Sequence, residues 1–395
     1  MTDPSSAATV ELAESVTEIG RAAWDACAGV ENPFVGFDFL RCLEESGAAT
    51  DATGWAPRHV LIRDADGGLR ACAPVYVKGH SMGEYVFDHG WADAYERAGG
   101  RYYPKLLCAV PFTPVTGPRL LVRGDLAGDV AAGLRRQLGL ALAGLTRDAG
   151  LSSAHVNFIS QDDDEALRAA GFVSRAGLQY HWHNDGYRGF HDFLAALTAR
   201  KRKAINRERR AVAAAGLVIE RLSGETITEA HWDAFFAFYQ DTGERKWGHA
   251  YLNRAFFRLI GERMANKVVL ILASRDGRPI AGALNLMGAD AIYGRYWGCS
   301  EDVPFLHFEL CYHQAIEVAI ERGLARVEAG AQGDHKIARG YLPVQTRSAH
   351  FIAHPGLRAA VADFTDNERR IIETQRDFLT KESPYRQGDD PGRGP

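Results

Sequence analysis

The run Ala166-Leu167-Arg168-Ala169-Ala170-Gly171-Phe172-Val173-Ser174-Arg175-Ala176-Gly177-Leu178-Gln179-Tyr180-His181-Trp182 closes one copy of an order of elements that the chain uses twice. Residues 164–170 read as a short helix, Gly171-Phe172 ends it because glycine accepts a left-handed C-cap, and residues 178–182 read as a strand. Upstream, Val130, Leu134, Leu138, Ala141, Leu142 and Leu145 recur at helical spacing as far as Gly150, and residues 155–159 alternate as a strand. The second half repeats the order. Phe308, Cys311, Tyr312, Ala315, Ile316, Ala319 and Ile320 fall on one helical face up to Gly323, residues 326–329 form the next strand, Gly340-Tyr341 takes the place of Gly171-Phe172, and residues 348–352 form the last strand.

Each long helix is preceded by a strand pair. Residues 60–63 and 70–77 flank a turn at 64–68, and residues 268–274 and 279–287 flank Asp276-Gly277. Aromatic strands are expected at 85–91 and 292–297. The chain is therefore predicted to be α/β, with two copies of a sheet carrying helices on its faces. Between the copies, residues 190–216 read as one long helix, 228–244 and 252–266 as two more, and 357–381 as a terminal helix with alternating charge. The expected divisions are 1–185, a helical insertion at 186–267, and 268–395.

With 395 residues, 46% hydrophobic and 24% charged, the composition is that of a globular protein with material for two cores. Six scattered cysteines without a CxxC pair indicate neither a zinc ribbon nor a disulfide framework. His181, His183, His307, His313 and His350 form no dense ligand pattern, so no metal is expected. No apolar run approaches the roughly 18 residues needed to span a bilayer, and the acidic start lacks the features of a signal peptide, which gives cytoplasmic location as the expectation. A net charge of -4 argues against generic nucleic-acid binding. Yet Arg200, Lys201, Arg202, Lys203, Arg207, Arg209 and Arg210 crowd together with Glu208 alone against them. Three readings stand for this helix: a solvated charged face, a clamp for phosphate groups, or attraction to a membrane surface.

The segment Gly330-Ala331-Gln332-Gly333-Asp334-His335-Lys336-Ile337-Ala338-Arg339-Gly340-Tyr341 concentrates glycines, an amide, an imidazole and two cations after a buried strand. Glycines let the backbone approach a ligand closely, and the charged groups offer proton transfer and anion stabilisation, beside the alternative of a plain turn leading into a basic helix. Lys336 is the candidate electrophile and His335 the candidate proton carrier, with Gln332, Gly333 and Arg339 as substrate contacts. Glu309, in the first helical turn, reads equally as a catalytic or amine-binding acid and as a partner of the helix dipole. In the first half, the proline-rich stretch 104–118 with Tyr103, Lys105, Thr113, Thr116 and Arg119 suits either a ligand groove or a linking turn. Arg202, Lys203 and Arg210 are the candidate phosphate contacts.

A hairpin, an aromatic strand, a long helix, a strand, a short helix ending in Gly-Phe and a final strand resemble the GNAT acyltransferase order. Two such copies bridged by a basic helix are similar to the FemAB-type transferases, and more closely to the bacterial FemAB-like N-acyltransferases. The resemblance rests on Asn32-Pro33-Phe34, on Tyr102-Tyr103-Pro104-Lys105-Leu106 with Val110-Pro111-Phe112-Thr113-Pro114-Val115-Thr116-Gly117-Pro118-Arg119, on residues 200–210, on Leu306-His307-Phe308-Glu309 and on the 330–341 loop. It spans roughly residues 30–379. It implies two tandem GNAT-like domains, each a mixed, mostly antiparallel twisted sheet, that move an acyl or aminoacyl group onto an amine. The co-substrate would be acyl-CoA or aminoacyl-tRNA, with no tightly bound cofactor, and the acceptor a cell-wall precursor or a small metabolite. The phosphate-cradling Q/RxxGxG/A turn of CoA-dependent relatives is absent before both long helices; Ser300-Glu301-Asp302-Val303-Pro304-Phe305-Leu306 stands before the second. The rival expectation is a catalytically inactive scaffold that binds a phosphorylated metabolite or a protein partner.

Overall fold

The computed structural model of the chain describes residues 9–247, 250–330 and 333–386. Two units emerge, one made of residues 1–177 and 345–373, the other of residues 178–344 and 374–395.

In the first unit, a four-stranded antiparallel sheet runs in the order Thr9–Ala13, His59–Arg63, Leu69–Ala73, Leu121–Val122. A second set of strands, Trp55–Pro57, Val75–Lys78 and Lys105–Cys108, pairs antiparallel, and Lys105–Cys108 then lies parallel to Ser153–Asn157. The helix Gly128–Asp148 buries Leu134, Leu138 and Leu142, one turn apart on one face, in a core with Val60, Ile62, Leu106, Val156 and Phe351. The expected strand 70–77 is divided because Pro74 separates Leu69–Ala73 from Val75–Lys78, and these pair in different sheets.

Residues 85–91 correct their expectation. Despite their aromatic content they form no strand; Tyr85 is at φ 59, and a helix, His89–Arg97, begins after Asp88. The segment wraps a lysine instead of extending. Lys105 Nζ donates to Ser81 Oγ at 2.7 Å, to Glu84 Oε2 at 2.9 Å and to Asp88 Oδ2, and these bonds require a folded loop.

The second unit is built on Val218–Leu222, Val268–Arg275, Arg278–Met287 and Ala291–Cys299, each antiparallel to the next. The turn at Asp276-Gly277 has φ of 51° and 75°, the left-handed pair that an Asp-Gly hairpin adopts. Arg326–Glu328 lies parallel to Ala291–Cys299. The second long helix, Leu306 to Glu321, packs Leu310, Ala315, Ile316 and Ala319 into the core and carries a π turn at Glu309–His313. The basic segment also departs from its single-helix expectation: Phe190–Ala196 and Ala199–Ala213 are separate helices. Leu197 is extended, and the Thr198 N–H donates to the Pro384 carbonyl at 2.9 Å, so the C-terminal stretch breaks the helix by taking its hydrogen bonds.

The two units interleave along the chain. The strand Val173–His183 leaves the first unit after Gly177, and its end pairs antiparallel with Arg326–Glu328 of the second. Conversely, Leu342–Ile352 starts in the second unit and ends in the first, where Ser348 to Ile352 pair with Ser153–Asn157. The closing strand of each copy is thus supplied by the other half of the sequence. Alternation of side chains cannot reveal this, because it reports which face of a strand is apolar and not which strand lies beside it.

Candidate functional site

In the second unit, Ala291 to Tyr293 pair with Arg326 to Glu328, and there the shorter strand ends while its neighbour continues to Cys299. The other edge of the longer strand is bulged: Leu284 faces Tyr296 and Asn285 faces Gly294, which leaves Arg295 as the extra residue. Such a bulge re-aims the side chains that follow it. A cavity of about 180 Å³ opens at this parting. Arg295, Tyr296 and Trp297 line it from the strand, His307, Cys311 and Tyr312 from the helix, and Ala329 and Gly330 from the parting backbone. The rings knit together: Trp297 meets His307 edge-on at 5.2 Å, and His307 meets Tyr312 at 5.4 Å.

Among the described residues of the 330–341 stretch, Gly330 lines this cavity, whereas Lys336, His335 and Arg339 do not. Gly330 is at φ 79, and its carbonyl accepts a 2.8 Å hydrogen bond from Lys336 Nζ. Gly333 is at φ 113, and a Cβ there would overlap the His335 ring, so glycine is required twice over. A 3-10 helix, Asp334–Arg339, follows. Lys336 is 2% exposed, with the Tyr180 ring 5.9 Å from its nitrogen. Burial lowers its pKa to about 8. No carboxylate among the described residues lies within ion-pair reach of it. His335 is exposed and its Nε2 shares a 2.9 Å hydrogen bond with the Tyr312 hydroxyl, which links the loop to the cavity wall. Arg339 is buried; it donates to the His335 carbonyl at 2.8 Å and to Glu208 Oε1 at 2.7 Å, and its guanidinium lies 3.3 Å from the centre of the Phe308 ring. Gln332 lies outside the described residues.

Glu309 is placed elsewhere. Its carboxylate accepts from Arg209 at 3.0 and 3.2 Å and from Gln314 at 2.6 Å, and it is not part of the cavity wall. With Glu317, which accepts from Arg209 at 2.6 Å, it anchors the basic helix. That helix therefore divides its charges between two faces. Glu208 and Arg209 tie it to the body of the unit, while Arg200, Lys203, Arg207 and Arg210 are exposed and Lys201 and Arg202 half-buried, with no carboxylate partner among the described residues.

The first-half candidates form a separate cluster in the first unit. Lys105 is fully buried between Glu84 and Asp88; burial alone would lower its pKa, but the two carboxylates raise it. Burial pushes Glu84 up to about 7. Tyr103 shares a 2.8 Å hydrogen bond with Ser81, and Tyr102 donates to Asp88 at 2.7 Å. Arg119 and Thr113 bond to backbone carbonyls of their own loop, at Val115 and Pro118 and at Pro111 respectively, and so help to shape it. The Thr116 hydroxyl is buried without a partner among the described residues. Nothing local in the sequence marks Asn285, Arg295 and Cys311 as lining a site. Their only signal is the place where a parallel strand stops, which no local pattern records.

Comparison with known proteins gives the architecture its relatives. The structure resembles the crystal structure of FemX, with a TM-score of 0.54 at 13% identity over 88% of this chain and 98% of that one. It also resembles the C-terminal DUF2156 domain of a candidate lysylphosphatidylglycerol synthetase from Agrobacterium fabrum, with a TM-score of 0.53 at 12% identity over 89% and 97% of the two chains. A tandem GNAT protein from the clavulanic acid biosynthesis pathway aligns with a TM-score of 0.47 at 11% identity over 88% and 99%. The likenesses to FemX and to the DUF2156 domain are of fold. No curated protein sequence matches it. The FemAB-like family model, described as peptidoglycan biosynthesis and recognition, matches residues 15–387. With that match covering nearly its whole length, the chain belongs to the FemAB-like family.

Proposed function

We propose that the protein is an N-acyltransferase that moves an acyl or aminoacyl group from an activated donor, acyl-CoA or aminoacyl-tRNA, to an amine on a cell-wall precursor or a small metabolite. The observation that carries this reading is Lys336. A lysine 2% exposed, with a single hydrogen bond to a carbonyl and no carboxylate beside it among the described residues, is a donor held ready for an anion that arrives later. The oxyanion formed when an amine attacks a carbonyl is such an anion. Gly330 and Gly333 allow the backbone to come close, and His335, hydrogen-bonded to Tyr312, is the group beside it able to take the proton that the amine gives up. The exposed cations of the basic helix suit the phosphates that both donor classes carry. No helix among the described residues is long and apolar enough to cross a membrane. We infer a cytoplasmic enzyme without a tightly bound cofactor.

The test is mass spectrometry of the purified chain with amine acceptors and either acyl-CoA or charged tRNA. An amide product with one donor class supports the proposal; none with either class, from folded protein, assigns the chain to an inactive scaffold. Two further results are expected. Because the Lys336 ammonium is lost as pH rises through about 8, kcat should fall above that pH, and a pH–rate profile flat to pH 9.5 would remove the cation from the reaction. Changing Arg202, Lys203 and Arg210 together to alanine should raise the apparent KM for the donor and flatten its salt dependence with little change in Tm, since two of the three are exposed and none has a carboxylate partner among the described residues. An unchanged salt slope would mark them as a solvated face.

A further inference from the structure

The cavity at the strand parting has the size of one acyl group. At about 180 Å³ it falls below the roughly 300–1,000 Å³ of sites that enclose a whole drug-sized ligand. Tyr239, Tyr296, Trp297 and Tyr312 give it an aromatic wall, and Arg295 is the charged side chain that lines it among the described residues. No carboxylate does. Among the described lining residues no carboxylate is present to balance a cationic group placed beside Arg295, and buried charges need such a partner.

Asn285 gives the wall a second property. It is 1% exposed, and its Nδ2 donates to the carbonyls of Val269 at 3.3 Å and Ala283 at 3.4 Å. Its Oδ1 has no hydrogen-bond partner among the described residues. That oxygen lies 3.5 Å from the point where a Cβ on Gly294, another lining residue, would stand. Buried amide oxygens are seldom left without a donor, and Asn285 is one of the residues that line the cavity.

We propose that this cavity is the acyl subsite and that it selects an uncharged acyl group bearing a hydroxyl or amide N–H that donates to Asn285 Oδ1, while rejecting lysyl and other cationic groups. The inference rests on the acyl-transfer reading. In the transfer, the amine nitrogen bonds to the carbonyl carbon, the carbon–sulfur or carbon–oxygen bond to the donor breaks, and the donor leaves as a thiol or hydroxyl with the proton that the amine released. The aromatic wall holds the group; Asn285 sets its rotation.

The experiment separates selectivity from turnover. N-methylamides of 3-hydroxybutyric acid, butyric acid and lysine are titrated against the full chain, with binding followed by tryptophan fluorescence, for which Trp297 is the reporter. The hydroxylated amide should bind about tenfold or more tightly than the butyric one, because a site built to accept a hydrogen bond penalises a ligand that lacks the donor, and the lysine amide should show no saturable binding. Asn285→Asp, nearly isosteric, should reverse the order in favour of the lysine amide. Gly294→Ala should weaken the hydroxylated and butyric amides by filling the space before Oδ1, and it carries the test if Asn285→Asp folds poorly. Equal or tighter binding of the lysine amide by the unaltered chain, no binding of any amide, or an unaltered order in Asn285→Asp together with unaltered affinities in Gly294→Ala would overturn the subsite. If instead selectivity holds but no donor yields an amide product, the acyl-transfer reading fails and the binding site remains. If a lysyl donor is turned over as fast as a neutral one, transfer stands and this selectivity falls.

Discussion

Lys336→Met should lower kcat by about 10²–10³-fold with little change in KM, the loss found when one oxyanion donor is removed from a preorganised site. Methionine keeps the length and apolar stem of the side chain, so the variant removes charge without opening a cavity. Stability provides the control. The folded pKa of Lys336 is lowered by burial, which means that the native state holds the ammonium at a cost below pH 8 that the unfolded chain, titrating near 10.5, does not bear. Methionine abolishes that cost. Tm at pH 7 should therefore be equal to or above that of the unaltered protein, with the difference shrinking towards pH 10. A variant that loses rate and keeps Tm has lost a transition-state contact. One that keeps its rate places the chemistry away from the 330–341 loop, and one that loses both has lost the loop itself.

Lys105→Met should do the opposite, with a large loss of stability. Its ammonium stands fully buried between Glu84 and Asp88, whose side chains are 1% and 2% exposed. Removing one partner from such a cluster leaves unpaired charge in the interior, at a cost of about 3–5 kcal/mol. The expected Tm loss carries a pH signature. Without the ammonium both carboxyls should have raised pKa values, so the variant regains stability as pH falls and they protonate, and the gap to the unaltered protein narrows between pH 7 and pH 5. Thermal unfolding across that range is the measurement. A gap constant with pH would mean that Lys105 contributes packing and hydrogen bonds rather than charge.

These two lysines also show how far the sequence could be read. Both stood out as candidates, Lys336 from the glycines around it and Lys105 from the tyrosines and prolines beside it. Their roles separate only through partners that are distant in sequence: a carbonyl for one and two carboxylates for the other. The two-copy order of elements was legible because helical and strand periods are local, and Asp276-Gly277 and Gly171-Phe172 mark turns by their own conformational preferences. Residues 85–91 misled because their aromatic content matches a strand, whereas the hydrogen bonds of Lys105 outweigh that propensity. The anchoring of Glu309 by Arg209 was hidden for a similar reason, since the two are a hundred positions apart. The cavity was illegible altogether, being a space left where one strand ends.

The exchanged closing strands bear on how the chain is made. The first unit includes residues 345–373, so its edge along Ser153–Asn157 stays uncovered until the ribosome has produced residue 352 and released it. At about 5–20 residues per second, the wait from Gly177 is on the order of ten to thirty seconds. Throughout it, the nascent first half presents an open row of backbone donors and acceptors flanked by apolar surface, the kind of edge on which chains aggregate. Cleaving the gene between the halves would make that exposure permanent. A fragment ending at residue 185 should be recovered mainly in inclusion bodies, and co-expression of residues 186–395 should return both pieces to solution as one complex.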